Sequence, residues 1–289
     1  MPTVTTTAHA PTLAETVAAL ERVYPPSWAA SWDAVGLVCG DPGQPVRKVL
    51  LAVDPVAEVV EEAVQWGADL VITHHPLLLR GVTSVAATTP KGRTVHRLIG
   101  TGTALYTAHT NADTADPGVS DALAAAVGLA GPLRPLEPDP GDPDGRRGIG
   151  RVGALPAPMS LRAFAEQAAA GLPATAAGVR VSGDLDRTVR TVAVSGGAGD
   201  SLLGAARAAG VDAYLTSDLR HHPASEFAEQ GGPALVDTAH FASEWPWLPD
   251  CAARLAGALA DQGDTVETHV STIVTDAWTR AFAPVPPAS

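Results

Sequence analysis

Two adjacent histidines, His74 and His75, close the apolar run Ala68-Asp69-Leu70-Val71-Ile72 and lead into Pro76. A neutral imidazole offers one nitrogen lone pair to a divalent ion. Successive side chains of a strand point to opposite faces, so this pair does not readily chelate one ion but can serve two lying side by side. Taken alone, such a pair reads first as polar residues opening a loop. Three further stretches carry the same residue types and decide between the readings. His109-Thr110-Asn111-Ala112-Asp113 follows one apolar run, Ser217-Asp218-Leu219-Arg220-His221-His222 a second, and His240-Phe241-Ala242-Ser243-Glu244 a third. Imidazole together with carboxylate suits Zn, Mn, Fe or Ni, and the set lacks the thiolates of a structural zinc site. His240 and Glu244 share one face if a helix begins there. A carboxylate such as Glu244 can also bridge two ions about 3.5–4 Å apart.

The elements that must position these residues follow a strand–helix rhythm. Leu13 to Tyr24 has helical spacing, with Thr12 as N-cap and Pro25-Pro26 as a stop. Val49 to Val53 reads as a buried strand ending at Asp54, Glu58 to Trp66 as a helix, and the His-His run as the next strand. That order is a βαβ crossover and implies a parallel sheet. A helix over Gly92 to Ile99 and a strand over Ala104 to Ala108 extend it. After the helix Val119 to Val127, residues 131–147 are dense in Pro, Gly and Asp and read as a linker or loop. A second βαβ pattern runs from Thr191 through Gly196-Gly197-Ala198-Gly199 to Thr216. The glycines there read as a tight turn, with a phosphate cradle as the rival reading. Open α/β sheets bind ligands beyond the C-terminal ends of their strands, where all four polar stretches fall.

The expected fold is therefore α/β in two lobes: 12–130, completed by 236–289, and 148–235. At 289 residues, 46% hydrophobic and with a mean hydropathy of +0.11, the chain can bury a sizeable core. No apolar run reaches the length of a membrane span. The polar, Thr-rich start carries no signal-peptide pattern, and Cys39 and Cys251 stand far apart, so a cytoplasmic location is expected. With a net charge of -12 and no Lys/Arg cluster beyond Arg146-Arg147, neither a nucleic-acid nor a membrane partner is expected.

The stretches S-W-D-A-V-G-L, G-A-D-L-V-I-T-H-H-P-L, A-H-T-N-A-D, G-I-G-R-V-G, V-A-V-S-G-G-A-G, Y-L-T-S-D-L-R-H-H, H-F-A-S-E and S-T-I-V-T-D-A-W occur in this order over about Leu13 to Trp278. In these motifs the chain resembles the Nif3-like family of dinuclear-metal proteins, whose members are often named GTP cyclohydrolase 1 type 2 homologs. The resemblance implies two divalent ions per chain on His74, His75, Asp113, His240 and Glu244, in a cleft between two α/β lobes. It further implies a homo-oligomer, a hexameric ring. Asp33, Asp218 and His221 are candidate lining residues, and His109 and His222 candidate proton shuttles. Ala34 and His221 replace an Asn and a Tyr usual in the family, without touching an implied ligand. The expected activity is metal-dependent hydrolysis of a nucleotide or phosphorylated small molecule. The alternative is a non-catalytic, metal-handling ring acting through protein partners.

Overall fold

The computed structural model of the chain describes residues 10–282; the first nine residues and the tail from residue 283 lie outside the described residues, and so does most of the polar N-terminal stretch. Among the described residues two compact units emerge, one built from residues 10–118 and 247–273, the other from residues 119–246 and 274–282.

The first unit opens with helix α1 (Leu13–Val23), started by a capping box in which Thr12 and Glu15 satisfy each other's backbone N–H groups. Strands β1 (Gly36–Cys39) and β2 (Lys48–Ala52), helix α2 (Ala57–Trp66), strand β3 (Leu70–Thr73), helix α3 (Pro90–Thr101), strand β4 (Ala104–Thr107) and the short helix α4 (Thr110–Thr114) follow. Left-handed Gly67 and Gly102 end α2 and α3, as their positions after each helix require. The sheet order is β1-β4-β3-β2 with a final strand beside β2; only β1 runs antiparallel to its neighbour. Both faces of β2, β3 and β4 are buried, which is why their sequences are continuous apolar runs. Leu50, Val71 and Leu105 pack with Val59, Val60 and Ala63 of α2 and Val95 and Leu98 of α3.

The second unit begins with α5 (Val119–Ala126). It continues through β5 (Ala130–Pro138), β6 (Gly148–Ser160), α6 (Leu161–Gly171), β7 (Arg180–Ser182), β8 (Thr188–Ala198), α7 (Leu203–Ala208), β9 (Ala213–Ser217), α8 (His221–Glu229), β10 (Ala234–Thr238) and α9 (His240–Glu244). Its sheet runs β5-β6-β8-β9-β10-β7, with β8, β9 and β10 parallel. The chain then returns to the first unit as α10 (Trp247–Ala260) and β11 (Glu267–Val270), the latter parallel to β2.

Two sequence expectations differ from this architecture. The stretch 131–147 is not a linker, because most of it is β5 and the turn of a β5–β6 hairpin. Pro132, Pro135 and Pro138 fall on an edge strand, the position in a sheet where proline is tolerated. The units also divide at 118/119 and 246/247 rather than at the expected positions. Leu123, Ala124 and Val127 pack against Val192 and Val194 of β8, and Ala242 of α9 joins the same core. The G-I-G-R-V-G motif has a structural explanation. Arg151 is 1% exposed, and its guanidinium meets both carboxylate oxygens of Asp121 and the carbonyls of Gly148 and Gly150. A buried cation persists only when paired this fully.

Candidate metal centre

Register explains why the first unit gathers histidines. Ala52 pairs with Thr73 and Thr73 with Thr107 across three parallel strands. The residues just beyond those positions are Asp54, His74 and His75, and His109, so one sheet edge receives them side by side. The ligand atoms of His74, His75 and His109 lie within 4.8 Å of one another, a group that could hold a metal ion. Ring centroids are 5.2 Å apart for His74 and His75, 5.1 Å for His74 and His109, and 5.7 Å for His75 and His109. Asp113, on α4, brings Oδ1 to 3.7 Å from Nε2 of His74.

Each of these imidazoles is fixed by an oxygen on its Nδ1 side. His74 Nδ1 donates to the carbonyl of Ala108 at 2.9 Å, His75 Nδ1 to Asp54 at 2.7 Å, and His109 Nδ1 to Asp33 at 2.9 Å. A carbonyl or carboxylate only accepts, so the ring proton of the neutral form sits on Nδ1 and the lone pair on Nε2. That is the tautomer and the outer support a metal-ligating histidine needs. His74 is fully buried, with its ring 5.4 Å from that of Trp247. Trp247 is held in turn by a hydrogen bond from its Nε1 to the Tyr24 hydroxyl.

Asp33, expected only to line the site, positions His109. Burial pushes its carboxyl up, but hydrogen bonds from the Thr110 hydroxyl, His109 and the Thr110 and Ala34 N–H groups outweigh this and hold it below the usual carboxylate range. It therefore stays anionic at neutral pH. Trp32, 61% exposed, stands edge-on to His109 at 6.0 Å.

The second unit builds its group on the same principle from parallel β8, β9 and β10. Ser217 pairs with both Thr238 and Ala198, which brings Asp218, His240 and the glycines of β8 to one edge. His240 Nδ1 donates to Asp218 at 2.7 Å, and Nε2 lies 2.9 Å from Oε1 of Glu244 in the same short helix. With the proton on Nδ1, the Nε2 lone pair faces a carboxylate oxygen, an arrangement that a proton or a cation between the two atoms satisfies. Asp218 is the one residue other than glycine with a left-handed backbone among the described residues, at φ 57°. Asp tolerates that conformation better than most residues, and here it aims the carboxylate at His240.

Gly196-Gly197-Ala198-Gly199 is neither a tight turn nor a phosphate cradle; most of it is the bulged end of β8. The N–H groups of Gly196, Gly197 and Gly199 are spent on Ser120, Ser243 and Ser217. The Gly197 carbonyl accepts from Thr216 and Ser217. Gly197 sits at φ +69°, and a Cβ there would lie 2.6 Å from Glu244 Oε1 and 3.3 Å from His240 Nε2. This glycine is what lets the two ligand atoms approach the sheet. His221 and His222 open α8, exposed and edge-on to each other at 5.1 Å, so Asp218 is the member of that turn that meets His240.

Sequence reasoning missed the roles of Asp54 and Gly197. The signal for Asp54 was present, a carboxylate directly after a buried strand; that for Gly197, a glycine inside a strand pattern, was taken for a turn.

Comparison with known proteins agrees with the fold. The family model for DUF34/NIF3 (NGG1p interacting factor 3) matches residues 11–277. A Streptomyces coelicolor protein named GTP cyclohydrolase 1 type 2 homolog is 58% identical over 279 residues, covering 96% of this chain and 98% of that protein. A Mycobacterium tuberculosis protein of the same name is 39% identical, covering 92% of this chain and 96% of its own length. The crystal structure of a Bacillus cereus protein related to NIF3 matches with a TM-score of 0.86 at 26% identity, over 94% of this chain and 100% of that one. The chain belongs to the DUF34/NIF3 family.

Proposed function

We propose that this protein is a divalent-metal-dependent hydrolase, with His74, His75 and Asp113 of the first unit and His240 and Glu244 of the second as its ligands. The observation that carries the reading is the shared orientation of His74 and His75: each Nδ1 is committed to an oxygen, which leaves Nε2 as the ligand atom, while His240 holds Nε2 beside Oε1 of Glu244. Divalent ions on such donors supply Lewis acidity and acidify water toward a pKa of about 7. The chain's own contribution is orientation. Asp54 and Asp218 hold the rings of His75 and His240, and burial of His74 excludes solvent from its ring. His109 belongs to the imidazole cluster itself. Anchored by Asp33, it is a further candidate ligand as well as the candidate for moving a proton.

The substrate proposed is a nucleotide or a phosphorylated small molecule, and ring opening of GTP belongs in the test because of the relatives' name. The protein is further proposed to assemble as a homo-hexamer, which light scattering measures. Metal-reconstituted protein should hydrolyse at least one member of a panel of nucleotides and phosphoesters, and His75→Ala should abolish that turnover. Metal binding without turnover across the panel would replace the hydrolase with a metal-handling protein.

A further inference from the structure

We propose that a cavity beside His75 in the first unit binds an anionic ligand with an apolar body, a phosphate monoester, through Lys91 and Arg93. The cavity has a volume of about 660 Å³, in the range of small-molecule sites. Val56, Val60 and Leu77 supply apolar wall, and His75 and Asp54 form part of its lining, so it opens onto the imidazole cluster.

Its charge is unusual for this protein. In a chain of net charge -12, three cations, Lys91, Arg93 and Arg97, line one cavity. The anions there are already engaged: Glu61 accepts from Arg97 Nε and Nη2 at 2.7 and 2.9 Å, and Asp54 accepts from His75. Lys91 and Arg93 make no ion pair among the described residues; Arg93 reaches only the Ala87 carbonyl, at 3.5 Å. The cavity therefore carries uncompensated positive charge. Both cations also lie in the first turns of α3, where the helix dipole favours acidic side chains and α3 has none. An anion in the cavity relieves that repulsion, while the apolar wall takes the rest of the ligand. The cluster escaped sequence reading because its members are spread over seven residues of one helix.

The inference rests on the proposed function only in making this ligand the substrate; anion binding stands on the cavity alone. Calorimetry with phenyl phosphate, and phenol as the neutral control, tests it on the full chain with and without added zinc. The wild type should bind phenyl phosphate and not phenol. Lys91→Ala/Arg93→Ala should weaken phenyl phosphate about tenfold or more, with metal content unchanged. Lys91→Arg/Arg93→Lys should retain it. All four substitutions are at exposed positions, and thermal unfolding verifies the fold. Equal affinity in wild type and the alanine variant, or no binding by the wild type at millimolar ligand, would overturn the inference. Full metal loading of His74→Ala/His75→Ala would instead overturn the metal reading and leave the anion result standing.

Discussion

The two units place their candidate ligand groups at the same kind of position, the C-terminal edge of three parallel strands, yet support them differently. In the first unit three imidazoles arrive from two strand ends, and each has its own anchor: a backbone carbonyl for His74, Asp54 for His75 and Asp33 for His109. In the second unit His240 and Glu244 come from one turn of a five-residue helix, and both lie against Gly197. The first arrangement gives each ring its own anchor; the second anchors His240 on Asp218 and leaves both side chains dependent on the space at one backbone position, Gly197. Substitutions should therefore be graded in the first unit and abrupt in the second.

The largest effect is expected at Gly197. Gly197→Ala puts a Cβ into Glu244 and His240 and forces alanine into a left-handed backbone, which should cost about 3 kcal/mol of stability. Urea unfolding measures the cost, and metal affinity should fall with it. Wild-type stability in this variant would break the contrast between the units.

Next come the carboxylate anchors. Asp54→Asn keeps a hydrogen-bond acceptor for His75 but removes the charge, and should weaken metal binding about 10–100-fold with little change in stability. The Asp54 side chain is 24% exposed and that of Asp218 54%, so solvent screens Asp218 more. Asp218→Asn should accordingly lower affinity by less. Metal titration of both variants settles the order, and the reverse order would show that exposure does not govern these anchors.

The smallest effect sharpens the comparison by separating site electrostatics from ordinary folding. Asp212 caps the start of the strand segment at Arg190 and Thr191. Burial pushes its carboxyl up, but hydrogen bonds from the Thr191 and Arg190 N–H groups and the Thr191 hydroxyl hold it below the usual range. A depressed carboxylate stabilises the fold at neutral pH, and that contribution is lost as pH falls below about 4, through the folded-state value. The stability gap between wild type and Asp212→Asn should thus be full at pH 7 and shrink below pH 4. A gap that is constant across this range would assign the effect to packing.

The parallel cores were legible because β2, β3, β4, β9 and β10 are apolar runs too short for helices, each followed by polar residues at the ligand-binding edge. The Nδ1 anchors were not, because they depend on register between strands: Asp54 meets His75 only once Ala52 is seen opposite Thr73. β5 was hidden by its prolines, which only its edge position excuses. Gly197 was misread because a strand bulge and a loop share the same residues, and only the conformation tells them apart.

Metal content tests the central claim most directly. Protein reconstituted with excess zinc or manganese, then desalted, should hold about two ions per chain by elemental analysis. His74→Ala/His75→Ala and His240→Ala/Glu244→Gln should each hold fewer. A wild type that retains one ion or none, or a His74→Ala/His75→Ala variant that loads as fully as wild type, would contradict it.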